Sequence, residues 1–328
     1  MDADTLQMLR SSLTRILAED GDAALSERLG SLGWDEVLED DAASALQALF
    51  EIKGTTLSAA DALGPLVARS IAGSCGRPEL AAATVVLPAG LHPDRLSSRV
   101  EGQQLLADGI ATAPPDGGGA VVPVGGGGGV RLAIVPGTTS WSPRPLGGTD
   151  PSLGLTSVVA SMSASACEWI DDDVATASWE QCTARARWAL AAELVSIGHH
   201  VVSQAVEYTG QRQQYGRAIG TFQALQHRLA GAYASVVGAS NVVAEAATSG
   251  SAWTALIAKA LAGRAAEDAC TQAQQSYGAI GFTWEHEFHR YLRRTYVLDR
   301  CFGDWRTLER EIGARLIDAG AVPKIGSL

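Results

Sequence analysis

The sequence is short of basic residues, of long apolar runs and of paired cysteines, and each shortage closes off a class of function. Lys and Arg number 25 against 36 Asp and Glu in 328 residues, a formal net charge of -11. Nucleic-acid backbones and anionic membrane surfaces recruit basic patches, so neither is expected as a partner. No apolar run approaches the roughly 20 residues that span a bilayer, and Met1-Asp-Ala-Asp-Thr5 is acidic where a signal peptide would be basic. A cytoplasmic protein is expected. Five cysteines, at 75, 167, 182, 270 and 301, are odd in number and lack CxxC spacing, which points to reduced core residues rather than a disulfide framework or a zinc site. The glycine runs 117–119 and 125–129 are followed by neither Lys-Ser nor Lys-Thr, nor by a helix pattern, so they read as hairpin turns and not as a phosphate loop. His199 and His200, with Glu193 and Glu207 nearby, lack the spacing of metal ligands, and no metal is expected.

What is present is apolar residue in quantity: 46% of the chain, enough to bury a substantial core in two or three domains. Residues 1–78 read as helices, with Leu6, Leu9, Leu13, Ile16 and Leu17 on one face and Leu63, Leu66, Val67 and Ile71 on another. From Glu79 the texture changes to short apolar runs, Ala83–Leu87, Ala120–Val124, Val130–Val135 and Thr156–Val159, separated by Gly, Pro, Asp and Ser. These predict strands of a β domain over 79–173. From Val174 the pattern is helical again, giving a third domain over 174–328.

In that last domain Trp188, Ala191, Val195, Gly198, Val202, Ala205 and Thr209 recur at steps of three and four, the spacing of one buried helix face. Phe222, Leu225, Leu229, Ala232 and Val236 begin a second face. Between them Gly210, Gly216 and Gly220 break the period, so two long helices pack antiparallel across a short polar joint. The joint carries Arg212, a fork of donors suited to a phosphate, with the aromatic Tyr215 and the amide Gln223.

Arg212-Gln-Gln-Tyr215-Gly216, then Phe222-Gln223, then Gln275-Ser-Tyr-Gly278-Ala-Ile-Gly281-Phe282 together resemble the C-terminal domain of the acyl-CoA dehydrogenases. Three segments in the right order and at the right distances make the likeness specific, and it is clearest from about Arg185 to Leu316. The resemblance implies an α+β fold: an N-terminal α-helical domain, a middle β-barrel-like or β-sandwich domain and a C-terminal four-helix bundle. It also implies FAD shared at a subunit interface. Arg212, Tyr215, Gln223, Gln275, Gly278 and Gly281 would reach the adenosine and pyrophosphate of a neighbour's flavin.

The chemistry departs from the family. Dehydrogenation of an acyl-CoA needs a carboxylate that takes the α proton while hydride leaves the β carbon for the flavin. Where the family carries that Glu, the alignment on Tyr277–Thr283 and Leu292-Arg-Arg puts Phe302, in Phe302-Gly303-Asp304. The alternative family position, near the start of the long helix, is Ala186, beside Arg187. Asp304 is the fallback base, yet it precedes Trp305, Leu308, Ile312 and Leu316 and is better placed as a helix N-cap. Between Trp34 and Trp141 there is no tryptophan, so the segment that would wall the chain's own isoalloxazine, about Val100–Gly109, lacks its aromatic.

The chain therefore keeps groups that the family lends to a neighbour's FAD and lacks those that use its own. It resembles the short, non-catalytic subunits of heteromeric actinobacterial acyl-CoA dehydrogenases of steroid side-chain degradation. That likeness implies an acyl-CoA substrate, a homologous partner subunit in an α2β2 hetero-oligomer, and electron-transfer flavoprotein as acceptor. Two other readings stay open: a self-sufficient homotetrameric dehydrogenase using Asp304, Glu285 or Glu309, and a flavin-free acyl-CoA-binding scaffold of the same fold. Glu285-His286-Glu287-Phe288-His289-Arg290 reads as the solvated start of a helix. His227 lies on the interface or lines the adenine site. Arg293 matches a family arginine, and Arg294 stands where the family has Asp, so an ion pair there is lost or re-partnered.

Overall fold

The structure, a computed structural model, describes residues 1–18, 25–115, 117–126, 129–170 and 172–320. The chain opens with helices α1 (Ala3–Ala18), α2 (Leu25–Gly30), α3 (Trp34–Thr56) and α4 (Leu63–Cys75). Strands β1 (Thr84–Val85), β2 (Arg99–Glu101), β3 (Gln104–Ala111), β4 (Ala120–Gly126), β5 (Gly129–Val135), β6 (Ser142–Pro145), β7 (Thr156–Ser163) and β8 (Glu168–Ile170) follow. The rest is α5 (Asp172–Gln211), a hairpin of β9 (Gln213–Gln214) and β10 (Arg217–Ala218), then α6 (Gln223–Ser249), α7 (Ala252–Tyr277), α8 (Phe288–Arg300) and α9 (Trp305–Ala319). No helix among the described residues is long and apolar enough to cross a membrane.

Contacts group the chain into two units, and α5 contributes to both. One comprises Asp61–Arg187 with Arg300–Gly303. Its strands form two four-stranded sheets, in the orders β1-β4-β5-β8 and β2-β3-β7-β6. Leu105, Ala107, Val158 and Ala160 from one sheet share a core with Ala120, Val122, Ala133 and Val135 from the other, the two inner faces of a sandwich that does not close into a barrel. The four apolar runs of the sequence are β1, β4, β5 and β7. Of the second glycine run, Gly127 and Gly128 lie outside the described residues, and Gly126 pairs with Gly129 at the end of the antiparallel β4–β5 pair.

The other unit comprises the described residues of Met1–Ala60, Trp188–Asp299 and Asp304–Gly320. In α1, Leu9, Leu13, Ile16 and Leu17 are buried, the face that the spacing predicts. In α5 the residues Trp188, Ala191, Val195, Val202, Ala205 and Thr209 are all buried. In α6, Leu229, Ala232 and Val236 continue as Ala239, Val243 and Ala246. The α6–α7 connection is two residues, with Ser251 capping α7 by accepting from the Thr254 N–H at 3.3 Å, so these helices run antiparallel.

All five cysteines are free thiols, and all but Cys75 are buried. Burial pushes the Cys270 thiol up to about 12, which keeps it protonated and unreactive.

Candidate cofactor-interface site

Helix α5 ends at Gln211 and passes directly into the β9–β10 hairpin. The Arg212 N–H still donates to the Tyr208 carbonyl at 2.8 Å, while its own carbonyl accepts from the Ile219 N–H at 2.8 Å. Arg212 is thus the last residue of the helix ladder and the first of the hairpin ladder. Gln213 pairs with Ala218 and Gln214 with Arg217, leaving Tyr215 and Gly216 as a two-residue loop with φ of 55° and 77°. Positive φ at both positions is the signature of a type I′ turn, whose twist matches that of the paired strands.

The Tyr215 ring at the tip is 91% exposed. It meets Phe222 edge-on at 6.2 Å, and the Arg217 guanidinium lies 4.1 Å from the centre of the Phe222 ring. Phe222 is the N-cap of α6, and Gln223 is exposed at that helix's first position. Among the described residues no carboxylate pairs with Arg212 or Arg217. Beside the hairpin, a cleft of about 720 Å³ is lined by Val202, Val206, Thr209, Thr221, Gln226 and Tyr233.

The glycine-bearing segment lies at the end of α7. Gln275 is exposed in the last helical turn. Gly278 caps the helix with φ 63° and ψ -136°, a region closed to residues with a Cβ. A Cβ on the buried Gly281 would stand 3.0 Å from that of Tyr277 and 3.2 Å from the Gln274 carbonyl oxygen, so both glycines let the chain fold back on the helix end. Tyr277 packs edge-on against Tyr208, their centroids 5.2 Å apart. This contact sets the turn that follows α7 beside the turn that carries Arg212. Around it the aromatic side chains of Phe282 and Trp284 are exposed.

Phe302 is 3% exposed and has φ 60°. Its N–H donates to the Leu91 carbonyl at 2.8 Å, and its carbonyl accepts from the Arg187 Nε at 3.1 Å. Arg187 is itself buried, and Ala186 is fully buried. Asp304 caps α9: Oδ1 accepts from the Thr307 N–H at 3.2 Å and Oδ2 from its hydroxyl at 2.8 Å. Glu309 is ion-paired to Arg264 at 3.2 Å, and Glu285 is exposed. Residues Val100–Gly109 lie in the β2–β3 hairpin, where Leu105 and Ala107 point into the sandwich core.

Arg294 has found a new partner: it is buried against Glu193 at 3.5 Å and donates to the Leu57 and Ser58 carbonyls. His199 shares a hydrogen bond with Ser240 at 3.0 Å, and His200 stacks on Tyr291. Burial lowers the tendency of both imidazoles to protonate. Glu207 accepts from Gln211, and His227 is exposed. Among the described residues no group of three or more His, Cys, Asp or Glu side chains is placed to share a metal ion. Sequence reasoning missed Arg217, whose pairing opposite Gln214 becomes visible only once the turn type is known.

The model of the acyl-CoA dehydrogenase C-terminal domain matches residues 177–317. Acyl-CoA dehydrogenase IpdE2 of Mycobacterium tuberculosis is 30% identical over 300 residues, covering 88% of this chain and 90% of that protein. Among solved structures, a Tcur3481-Tcur3483 steroid ACAD variant superposes with a TM-score of 0.76 at 21% identity, over 97% of this chain and 99% of that one. The ChsE4-ChsE5 complex from Mycobacterium tuberculosis gives a TM-score of 0.74 at 18% identity, with 99% of each chain covered. With motif, fold and near full-length likeness in agreement, the chain belongs to the acyl-CoA dehydrogenase family.

Proposed function

We propose that the chain is the non-catalytic subunit of a heteromeric acyl-CoA dehydrogenase, completing the FAD site of a homologous partner in a cytoplasmic α2β2 assembly that passes electrons to electron-transfer flavoprotein. The observation that carries this reading is Phe302. The position that the family likeness gives to the proton-abstracting Glu holds a buried ring whose backbone is fastened at both ends, to Leu91 and to Arg187. A phenyl group accepts no proton. Asp304 is engaged as a helix cap and Glu309 in an ion pair, which weighs against the self-sufficient reading.

The residues that are present fit the adenosine diphosphate half of FAD. Arg212 has a guanidinium with no carboxylate partner among the described residues, and a mostly exposed aromatic ring stands at the hairpin tip, a pairing suited to a pyrophosphate joined to a flat base. FAD supplies the hydride acceptor when bound in such an enzyme. The tasks of this chain are then to hold the diphosphate with Arg212, flank the adenosine with Tyr215, Gln223 and Gln275, and bring the backbone close at Gly278 and Gly281. A steroid-derived acyl-CoA is the proposed substrate class of the complex, since a structural neighbour is a steroid ACAD.

Purified alone, the chain should dehydrogenate no acyl-CoA ester in a dye-reduction assay across short, long and steroid-bearing thioesters. Turnover that Asp304→Asn abolishes would overturn the reading. Phe302→Glu should not restore activity by itself, because β3 offers no aromatic wall for a flavin.

A further inference from the structure

We infer that Arg217 is a second cation of the hairpin's anion site, so that Arg212 and Arg217 together form a two-arginine clamp for a diphosphate attached to an aromatic base. This rests on the function proposed above and extends it to a residue outside the family-like motif. The register carries it. Side chains alternate along a strand and directly paired residues share a face. Gln214 pairs with Arg217, and the Arg212 carbonyl accepts from the Ile219 N–H, so the ladder extends one step and places Arg212, Gln214, Arg217 and Ile219 on one face. Arg212 and Arg217 are then diagonal neighbours, with Cα atoms about 7–8 Å apart, close enough for two long side chains to bracket adjacent phosphates.

The second observation is the state of the Arg217 side chain. It lies 4.1 Å over the Phe222 ring, which occupies one face of the planar guanidinium and leaves its edge donors for an anion. A guanidinium parked on a ring is ordered before the ligand arrives, so less side-chain entropy is lost on binding. The third is charge. From Tyr208 to Ala244 the sequence contains no Asp or Glu, although the chain as a whole has 36, and it contains Arg212, Arg217 and Arg228. In a protein of net charge -11, the hairpin and the helix after it thus carry cations with no acid between them in sequence, and the nearest upstream acid, Glu207, accepts from Gln211.

The test is calorimetric titration of the purified chain with ADP, and with adenosine as the phosphate-free control. Arg217→Ala should weaken ADP about five-fold and leave adenosine unchanged, an effect between that of an exposed ion pair and that of a charge-assisted hydrogen bond. Arg217→Lys should fall between wild type and Arg217→Ala, and Phe222→Leu should weaken ADP while retaining Arg217, because it removes the seat of the guanidinium. These two variants keep the test open if Arg217→Ala folds poorly, and thermal melts of each establish that stability is unchanged. Loss on Arg212→Ala with less than about a two-fold effect of Arg217→Ala overturns the clamp and leaves the proposed function standing. ADP binding indifferent to both arginines, or no ADP binding at all, overturns both.

Discussion

Tyr215 holds a backbone conformation that an aromatic residue disfavours, with φ 55° at the tip of a turn that glycine or asparagine would close more easily. Its side chain is almost wholly solvent-exposed, so burial does not explain why the strain is kept, whereas the proposed binding role would. Tyr215→Gly should therefore leave stability unchanged or raise it by up to about 1 kcal/mol while weakening ADP several-fold, measured by denaturant titration and calorimetry on the same preparation. Asp304 makes the opposite case. Its two carboxylate oxygens serve Thr307, and Asp304→Ala should cost about 0.5–2 kcal/mol of stability with no change in ADP affinity. At this scale the sequence was legible where residue type and position carry the contact, as in the cap of Asp304. It was not legible for Arg217, because that depends on Tyr215 taking positive φ and so fixing the register, which nothing in a tyrosine announces.

Ionic ties, one of them buried, hold the helices that present these residues. Arg294 of α8 and Glu193 of α5, each 1% exposed, stand 3.5 Å apart, and removing one partner of such a pair leaves a charge without compensation. Glu193→Ala should cost about 3–5 kcal/mol in chemical denaturation, and Glu193→Ala with Arg294→Met should recover part of the loss. Between α7 and α9, Glu267 accepts from both terminal nitrogens of Arg306 and from the Trp305 indole at 2.6 Å. The Arg306 hydrogen bonds above all, then that of Trp305, hold the Glu267 carboxyl below the ordinary glutamate range. The unfolded chain then binds this proton more tightly than the folded one, so the stabilisation is full above the ordinary value and is lost as pH falls through the folded one. Stability of wild type should decline below about pH 4.3, and Glu267→Gln should flatten that decline; an unaltered profile would remove the tie from the account. The helices were legible because their apolar spacing is long and regular. Strand β3 was harder, since Gly109 interrupts its apolar pattern; a Cβ there would come within 2.2 Å of the Leu87 carbonyl oxygen, a close approach that belongs to the tertiary fold and leaves no periodic trace.

For the molecule as a whole, the proposed assembly needs an interface, and α5, α6 and α7 carry Val206, Tyr233 and Leu261 exposed. Sedimentation at micromolar concentration should show an oligomer, and a monomer would count against an interface on these helices. The architecture was legible in the sequence as a change of texture, helical to strand-like to helical. The identity of the proposed partner was not, because one chain's sequence carries no complement of a surface that another chain would complete. Flavin content settles the central claim most directly. The chain should be expressed alone and with a homologous acyl-CoA dehydrogenase subunit, and FAD per protein chain measured from the visible absorption spectrum. The account predicts a colourless protein alone and a yellow complex holding one FAD for every two chains, with Arg212→Ala lowering flavin affinity about ten-fold or more while assembly persists. One FAD per chain in the protein expressed alone, with turnover of an acyl-CoA, would contradict it.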